Sequence, residues 1–152
     1  MLAPSKVLLI AVALIGAVGV SGCSSLGGGG FMMSERECMM RAMYFESNRS
    51  SREGMLAVGT VVMNRKGTKG FPSTVCGVVG QKNQFAAGVL SKPMKEKRSV
   101  ALVAEVAEQV LRGKRHAGVR NAKFFHTAGL RFPYNNMHYV LVAGGNEFYE
   151  KY

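Results

Sequence analysis

The sequence predicts an α+β domain that is mostly helical and carries a small sheet late in the chain. Three segments between residues 34 and 113 repeat apolar residues at the three- and four-residue spacing of helices. The pattern then changes to short runs typical of strands, "AKFFHT" and "MHYVLVAGGNEFYEKY".

The first 22 residues are typical of an export signal. One positive charge in "MLAPSK" precedes the apolar run "VLLIAVALIGAVGV", which is too short to span a membrane comfortably, and "VSGC" follows. The end of this segment resembles the bacterial lipobox, which implies cleavage before Cys23 and acylation of that cysteine. An ordinary signal peptide or an uncleaved membrane anchor is the alternative.

A tether separates this signal from the folded part. Residues 23–30, "CSSLGGGG", lack apolar periodicity and are rich in Gly and Ser. We therefore expect a signal peptide over 1–22, a lipidated cysteine with a flexible tether over 23–30, and one domain over 31–152.

Two capping patterns predict the first two helices. Ser34 with Glu37 opens a helix from about Glu35 to Ser47, and Ser50 with Glu53 opens a second that continues to about Arg65.

The rest of the domain contains one more predicted helix and a hairpin. "GTKGFPSTVCG" predicts a loop, and Pro93 is expected in the first turn of a long amphipathic helix that Gly113 ends. "AKFFHT" predicts a strand, and the last segment predicts a hairpin that turns at residues 144–146.

The composition is strongly basic. Lys and Arg number 20 against 9 acidic residues, giving a net charge of +11, and every acidic residue is Glu. An exported, tethered chain without a recognition module is not expected to bind nucleic acid. Anionic lipid head groups or a carboxylate-bearing wall polymer suit this charge better.

Cys38 and Cys76 remain once Cys23 is assigned to lipid. An even pair in an oxidising compartment predicts a disulfide, and two buried free thiols are the alternative. The three histidines lack the close spacings of zinc ligands, so we expect no metal and no other cofactor.

Glu46 stands out in the first predicted helix. At 100° per residue it projects from the arc that carries Cys38, Met39, Ala42, Met43 and Phe45. Burial and the C-terminal end of the helix dipole both favour its protonated form, so we expect a raised pKa, as a general acid requires. A surface glutamate paired with Arg49 is the alternative.

The motifs "ECMMRAMYFESNRSSREGMLAVGTVVMNRK", "FPSTVCGVVGQKNQF", "FFHT" and "GGNEFY" together resemble the SleB-type cell wall hydrolases. The resemblance runs from Glu37 to Tyr149 in the family's order. It implies a lysozyme-like or lytic-transglycosylase-like fold and an enzyme that cuts the glycan strands of peptidoglycan. The catalytic glutamate of the family's "YFEA" motif corresponds to Glu46 in "YFES".

Other residues of this sequence match further motifs of the family. The resemblance implies that side chains of the motifs "EG", "QF", "HFH" and "FY" contact substrate, with amide, imidazole and phenol groups that can hydrogen-bond sugars. It also strengthens the pairing of Cys38 with Cys76. The candidate substrate-binding residues are Glu53, Gln84, Phe85, His126 and Tyr149.

The chain departs from the family pattern at several places. "SNRS" replaces "ARGE" after the acid, Phe124 replaces the first histidine of "HFH", "GGNEFY" replaces "GNHxFY", and the tryptophans near "QF" are absent. The subsite contacts must therefore differ from those of other members.

The lack of Asp favours one mechanism. Glycoside hydrolysis normally uses two carboxylates, whereas a lytic transglycosylase needs one that acts as acid and then base. We expect cleavage between N-acetylmuramic acid and N-acetylglucosamine with 1,6-anhydro products. The alternatives are a two-carboxylate muramidase, with Glu53 as the nearest second carboxylate, a non-catalytic peptidoglycan-binding lipoprotein, and an amidase or peptidase in third place.

These expectations define partners and location. We expect a monomer that acts on peptidoglycan and attaches to lipid through acylated Cys23. Ser24 after the cysteine favours the periplasmic face of the outer membrane if the host is Gram-negative.

Overall fold

A computed structural model describes residues 32–49 and 51–152. The predicted signal, Cys23, the whole predicted tether and the predicted start of the domain at residue 31 therefore lie outside the described residues. The described chain forms four α-helices, a short 3-10 helix and three strands. In order these are α1 (Glu35–Glu46), α2 (Arg52–Arg65), α3 (Val75–Val79), α4 (Lys97–Leu111), the 3-10 helix (Ala117–Val119), β1 (Phe124–Thr127), β2 (Met137–Ala143) and β3 (Asn146–Lys151).

Helix α1 is the centre of the helical part and packs against α2, α3 and α4. Ser34 begins it as predicted, since its side chain accepts a hydrogen bond from the Glu37 N–H at 3.1 Å. Burial is not confined to the predicted arc, however, because Met40 and Tyr44 are buried as well. Residues outside the arc are buried because three neighbouring helices pack against α1.

Helix α2 begins at Arg52, the first residue of the stretch predicted to be helical. The Ser51 side chain accepts the capping hydrogen bond, which the Gly54 N–H donates at 3.0 Å, and Ser50, the predicted cap, lies outside the described residues. Glu53 is consequently too close to the cap to complete a capping box. Gly54 permits a close approach by the β2–β3 turn, because a Cβ atom at residue 54 would lie 2.5 Å from the Gly144 Cα.

Helix α3 occupies part of the segment that we predicted to be loop. Thr74 caps it by accepting a hydrogen bond from the Gly77 N–H at 3.0 Å. Glu35 of α1 adds a second attachment, since its carboxylate accepts from the Val75 and Cys76 N–H groups at 2.9 and 3.4 Å. A carboxylate at a helix N-terminus is favourable, and this tertiary contact could not be predicted from the local sequence.

The amphipathic helix α4 starts at Lys97, so Pro93 precedes the helix and is not in its first turn. Glu96 is its N-cap residue, and the Glu96 N–H donates to the Tyr44 hydroxyl at 3.2 Å. A contact with α1 thus sets the start of α4. After its end Gly113 adopts a φ of +109°, as expected for a glycine that ends a helix.

The three strands form an antiparallel sheet in the order β1-β3-β2. The predicted hairpin is present, and Gly144 and Gly145 make its turn with φ values of +57° and +83°. Phe124 pairs with Tyr149 across β1 and β3, and Tyr139 pairs with the same Tyr149 from β2. This register gathers aromatic side chains on one face of the sheet.

No helix in the described part of the chain is long and apolar enough to cross a membrane.

Candidate active site

Glu46 is the last residue of α1, and two distant segments hold it. Its carboxylate accepts a short hydrogen bond from the Ala86 N–H, and its carbonyl oxygen accepts one from the Asn146 side-chain amide. The last carbonyl groups of a helix lack hydrogen-bond donors within the helix, and Asn146 supplies one to the last carbonyl of α1. Arg49 instead pairs with Glu96, which removes the alternative of a surface Glu46–Arg49 pair.

The pKa of Glu46 lies above its ordinary value. Burial disfavours the ionised carboxylate and is the largest effect, while the hydrogen bond from Ala86 and the charge of Arg65 oppose it without reversing the direction. Glu46 therefore keeps its proton at a higher pH than an exposed glutamate does, which is the state that a general acid needs.

Arg65 places a buried positive charge at this site. The residue is 3% exposed, and its Nε donates to the Lys123 carbonyl at 2.6 Å. The guanidinium carbon lies 5.4, 5.2 and 6.0 Å from the ring centroids of Phe71, Phe85 and Phe124. Burial lowers the pKa of Arg65 to about 10, although Tyr149 and Glu46 partly oppose that shift, so the side chain is a cation at neutral pH.

One terminal nitrogen of Arg65, Nη1, is buried without a hydrogen-bond partner in the described structure. An unpaired guanidinium nitrogen is costly to bury, and the cation–π contacts with the surrounding rings offset only part of that cost. A cation held at this cost beside an acidic side chain is typical of a functional site.

In the described structure no contact joins Glu53 to Glu46 or Arg65. The Glu53 side chain is 65% exposed, and its carboxylate lies 3.3 Å from His116 Nε2. The groups that alter the pKa of Glu46, besides burial, are the Ala86 N–H and Arg65. Neither is a carboxylate, so Glu53 does not act on the pKa of Glu46, and its contact with substrate stays a prediction.

Tyr149 and His126 lie together on the aromatic face of the sheet. The Tyr149 ring stacks on Phe124 with centroids 5.6 Å apart and also lies 5.6 Å from the rings of His126 and Tyr139. Burial raises the pKa of the Tyr149 hydroxyl, so this group is a neutral hydrogen-bonding phenol at neutral pH. Arg65 links this face to Glu46 because its charge interacts with both Tyr149 and Glu46.

Gln84 and Phe85 lie on the loop that delivers Ala86 to Glu46. Phe85 is half-buried, and its ring packs against Phe125 at 6.2 Å and beneath the Arg65 guanidinium. Gln84 is exposed. The loop also lines a groove of about 330 Å³ to which Phe85 and Ala86 both contribute.

Three residues at the site were not predicted to act there: Ala86, Asn146 and Arg65. Ala86 contributes only a backbone N–H, for which a sequence carries no signal. Asn146 could be predicted only as part of a turn. Arg65 had a signal because it lies near the end of the first family motif, in "VVMNRK", but its burial becomes visible only once α2, β1 and the Phe85 loop are together.

Cys38 and Cys76 form a disulfide between α1 and α3, with Cα atoms 5.1 Å apart. Among the described residues, no group of three or more His, Cys, Asp or Glu side chains is arranged to hold a metal ion.

Comparisons with known proteins agree with this architecture. The family model described as Cell Wall Hydrolase matches residues 49–149. No curated protein shows significant similarity to the chain.

Two solved structures share the fold. The catalytic domain of the germination-specific lytic transglycosylase SleB from Bacillus anthracis aligns with a TM-score of 0.62 at 20% identity, over 80% of this chain and 98% of that one. The catalytic domain of the Bacillus cereus SleB protein aligns with a TM-score of 0.59 at 23% identity, over 82% of this chain and 100% of that one. The expected lysozyme-like α+β fold is confirmed.

Proposed function

The chain belongs to the cell wall hydrolase family, of the SleB type, and on this premise we propose that it is a lytic transglycosylase. It cleaves glycan strands of peptidoglycan between N-acetylmuramic acid and N-acetylglucosamine. Glu46 is the single catalytic acid and base, and the products carry 1,6-anhydro ends.

The reaction needs one proton, which Glu46 gives and recovers. Protonated Glu46 donates to the glycosidic oxygen as the bond from that oxygen to the muramic acid C1 breaks. The carboxylate then takes the proton of the muramic acid 6-hydroxyl while the 6-oxygen bonds to C1. No water is consumed, and Glu46 ends in its starting state.

Arg65 supports the second half of this cycle. Its buried charge favours the carboxylate form of Glu46, which exists after the first proton transfer. The Ala86 N–H hydrogen-bonds the same carboxylate and keeps it oriented. Burial thus favours the acid, while these two groups stabilise the base that follows.

The observation that carries the proposal is the environment of Glu46. It is a carboxyl with a raised pKa whose charged neighbour is an arginine and not a second carboxylate. A two-carboxylate hydrolase would need an acid and a partner carboxylate on either side of the bond. Glu53 is engaged with His116 instead.

The test is mass spectrometry of chromatographically separated muropeptides. Anhydro products are about 18 Da lighter than hydrolysed ones, because ring closure replaces attack by water. Glu46→Gln should lower the cleavage rate by at least ~10²-fold, since an amide cannot donate and recover a proton. Glu53→Gln is the matched control and should retain activity and anhydro products.

Products with water added would contradict the transglycosylase and favour the two-carboxylate hydrolase, as would equal losses in Glu46→Gln and Glu53→Gln. Peptidoglycan that binds the wild-type chain but releases no muropeptides would favour the non-catalytic binding protein.

We also propose that the enzyme is a monomer held in the cell envelope by acyl chains on Cys23. The proposed anchoring rests on the order of charge, apolar run and "VSGC" at the start of the sequence.

A further inference from the structure

The loop between β1 and β2, residues 128–136, presents large aromatic side chains to solvent. Phe132 and Tyr134 are 42% and 64% exposed, and Tyr139 at the start of β2 is 44% exposed. The Phe132 and Tyr134 rings are nearly parallel, with an interplanar angle of 8° and centroids 6.3 Å apart. We call Phe132, Tyr134 and Tyr139 the aromatic platform. Exposed apolar groups concentrated in this way are typical of a binding surface.

His126 fixes the orientation of the platform. Its Nδ1 lies 2.8 Å from the Thr127 carbonyl, which can only accept, so Nδ1 is the donor in this hydrogen bond. Its Nε2 is hydrogen-bonded with the Tyr139 hydroxyl at 2.9 Å and lies 3.9 Å from a Glu147 carboxylate oxygen. The same imidazole contacts the Phe132 ring at 4.8 Å in an edge-to-face arrangement. Side chains ordered in advance bind a ligand at a lower entropic cost.

The platform is continuous with the candidate active site. Tyr149 lies 5.6 Å from the rings of both His126 and Tyr139. Tyr149 in turn stacks on Phe124 with centroids 5.6 Å apart, and the Phe124 ring lies 6.0 Å from the guanidinium carbon of Arg65, whose charge acts on Glu46. A polymer that passes Glu46 could therefore extend along this face to the platform.

An exposed arginine lies beside the platform. A groove of about 510 Å³ adjoins it, bounded by Arg131, Glu147 and the residues 139–142 of β2. The Arg131 side chain is 84% exposed, and its only ion pair among the described residues is a 3.9 Å contact with Glu147. Its guanidinium can accordingly reach a carboxylate on a ligand.

We propose that the aromatic platform is a glycan subsite, at which a peptidoglycan strand stacks its sugar rings on Phe132 and Tyr134 beyond the bond that Glu46 cleaves. Exposed aromatic rings can stack on the apolar faces of sugars, and the Tyr134 and Tyr139 hydroxyls can bond hydroxyl or acetamido groups. Arg131 pairs with a carboxylate of the strand. The inference rests on the proposed function and adds where the strand continues.

Binding is tested separately from cleavage. The full-length chain carrying Glu46→Gln is purified in detergent and mixed with purified peptidoglycan or with soluble N-acetylglucosamine oligomers, which lack carboxylates. Adding Phe132→Ala and Tyr134→Ala should weaken binding to both by roughly tenfold, as expected for two lost aromatic contacts. Both side chains are exposed, so these substitutions should leave the thermal midpoint unchanged.

Two further variants sharpen the comparison. Tyr152→Ala removes another exposed aromatic, 81% exposed and outside the platform, and should leave binding unchanged. Arg131→Ala should weaken binding to peptidoglycan at low salt only and should not affect the neutral oligomers. With Glu46 intact, the platform variant should raise KM for muropeptide release and leave kcat unaltered.

Equal binding by the platform variant and Tyr152→Ala would overturn the proposal. So would a platform variant that loses only self-association in ultracentrifugation, or only attachment to phospholipid vesicles, with glycan binding intact. If the wild-type chain releases no muropeptides, the proposed function fails, and the binding comparison still decides whether the platform holds glycan.

Discussion

Glu46 is positioned through groups that lie 40 and 100 residues away in the sequence, the Ala86 N–H and the Asn146 amide. One binds the carboxylate and the other binds the backbone carbonyl of the same residue. Burial then raises the pKa of the carboxyl. The position of the acid and its protonation state thus have separate causes, and each can be changed by itself.

The raised pKa of Glu46 predicts how stability depends on pH. A carboxyl whose folded pKa exceeds its ordinary 4.5 stabilises the fold fully below that value, and the stabilisation is lost as pH rises through the raised pKa. Glu46→Gln removes this loss and keeps an acceptor for the Ala86 N–H. We expect the variant to match the wild type near pH 4 and to unfold at a higher temperature at pH 7 to 8.

Calorimetry across this pH range measures the difference, with Glu53→Gln as an exposed-carboxylate control. A wild type that gains stability over Glu46→Gln as the pH rises would contradict the prediction.

Arg65 should act on the pH profile of cleavage. Its charge lowers the pKa of Glu46, so its removal in Arg65→Met raises that pKa further. The activity of an acid falls as pH rises through its pKa, and we therefore expect the alkaline limb of kcat/KM to move to higher pH. The alkaline limb should move less in Arg65→Lys, because lysine keeps the positive charge. Lysine does lose the planar guanidinium that donates to the Lys123 carbonyl and contacts three aromatic rings.

Measuring kcat/KM against pH for both variants separates the effect of the Arg65 charge from the effect of its packing. An alkaline limb that stays in place in Arg65→Met, with only the maximum rate reduced, would mean that Arg65 acts through packing alone.

At the scale of elements, α3 links the disulfide to the acid. Cys76 lies on α3, and the loop that follows α3 carries Ala86. Glu35 and Cys38 of α1 both bind α3, through hydrogen bonds and the disulfide. Helix α1 carries Glu46, and α3 leads into the loop that binds the Glu46 carboxylate. The disulfide and the Glu35 hydrogen bonds that join α1 to α3 therefore also hold this loop close to Glu46.

Removing the disulfide should destabilise the fold and slow cleavage. Its 38-residue separation corresponds to a stabilisation of roughly 4 kcal/mol in the chain-entropy model. Cys38→Ala/Cys76→Ala should lose about this much in denaturant unfolding, and kcat should fall because the Ala86 loop is less well held. Glu35→Gln keeps the disulfide and should lose much less.

Thiol titration of the unfolded, unreduced Cys23→Ser chain provides an independent check. Two reactive thiols there would refute the disulfide.

Local signals predicted most elements, and tertiary contacts set the boundaries that were missed. The Ser34 cap, the β1 strand and the Gly144–Gly145 turn follow from residue type and spacing. The start of α4 depends on the Tyr44 hydroxyl, and α3 depends on Glu35. Both are contacts between distant segments, which a local pattern does not contain.

The sequence likewise indicated some residues of the site and not others. The apolar surroundings of Glu46 in α1 indicated the acid, and the family motifs indicated Tyr149 and His126. The partner of Glu53 could not be predicted, because His116 lies 63 residues further along the chain. Tyr139 and Phe132 carried no motif, and only the sheet register and the β1–β2 loop bring them beside His126.

At the scale of the whole molecule, the charge of +11 and the proposed anchor both bring the enzyme close to the cell envelope. An anionic wall polymer attracts a basic enzyme over a distance that salt shortens. A membrane with anionic lipids attracts it in the same way. Retention at a membrane therefore has two possible physical causes, charge and covalent lipid, and salt separates them.

Acylation of Cys23 predicts retention that salt does not reverse. Cys23 follows a charged start, an apolar run and "VSG", and acyl chains at that position would partition into the bilayer by the hydrophobic effect, which high salt does not weaken. We expect membranes washed in 1 M salt, where the screening length is about 3 Å, to keep the wild type and release Cys23→Ser. The released variant should cleave peptidoglycan at the wild-type rate in detergent, because Glu46 and its partners lie in residues 32–152. Mass spectrometry of the retained protein should show an N-terminal Cys23 carrying acyl chains. An unmodified Cys23 in the washed membranes, or equal retention of Cys23→Ser, would show that another feature of the chain holds it there.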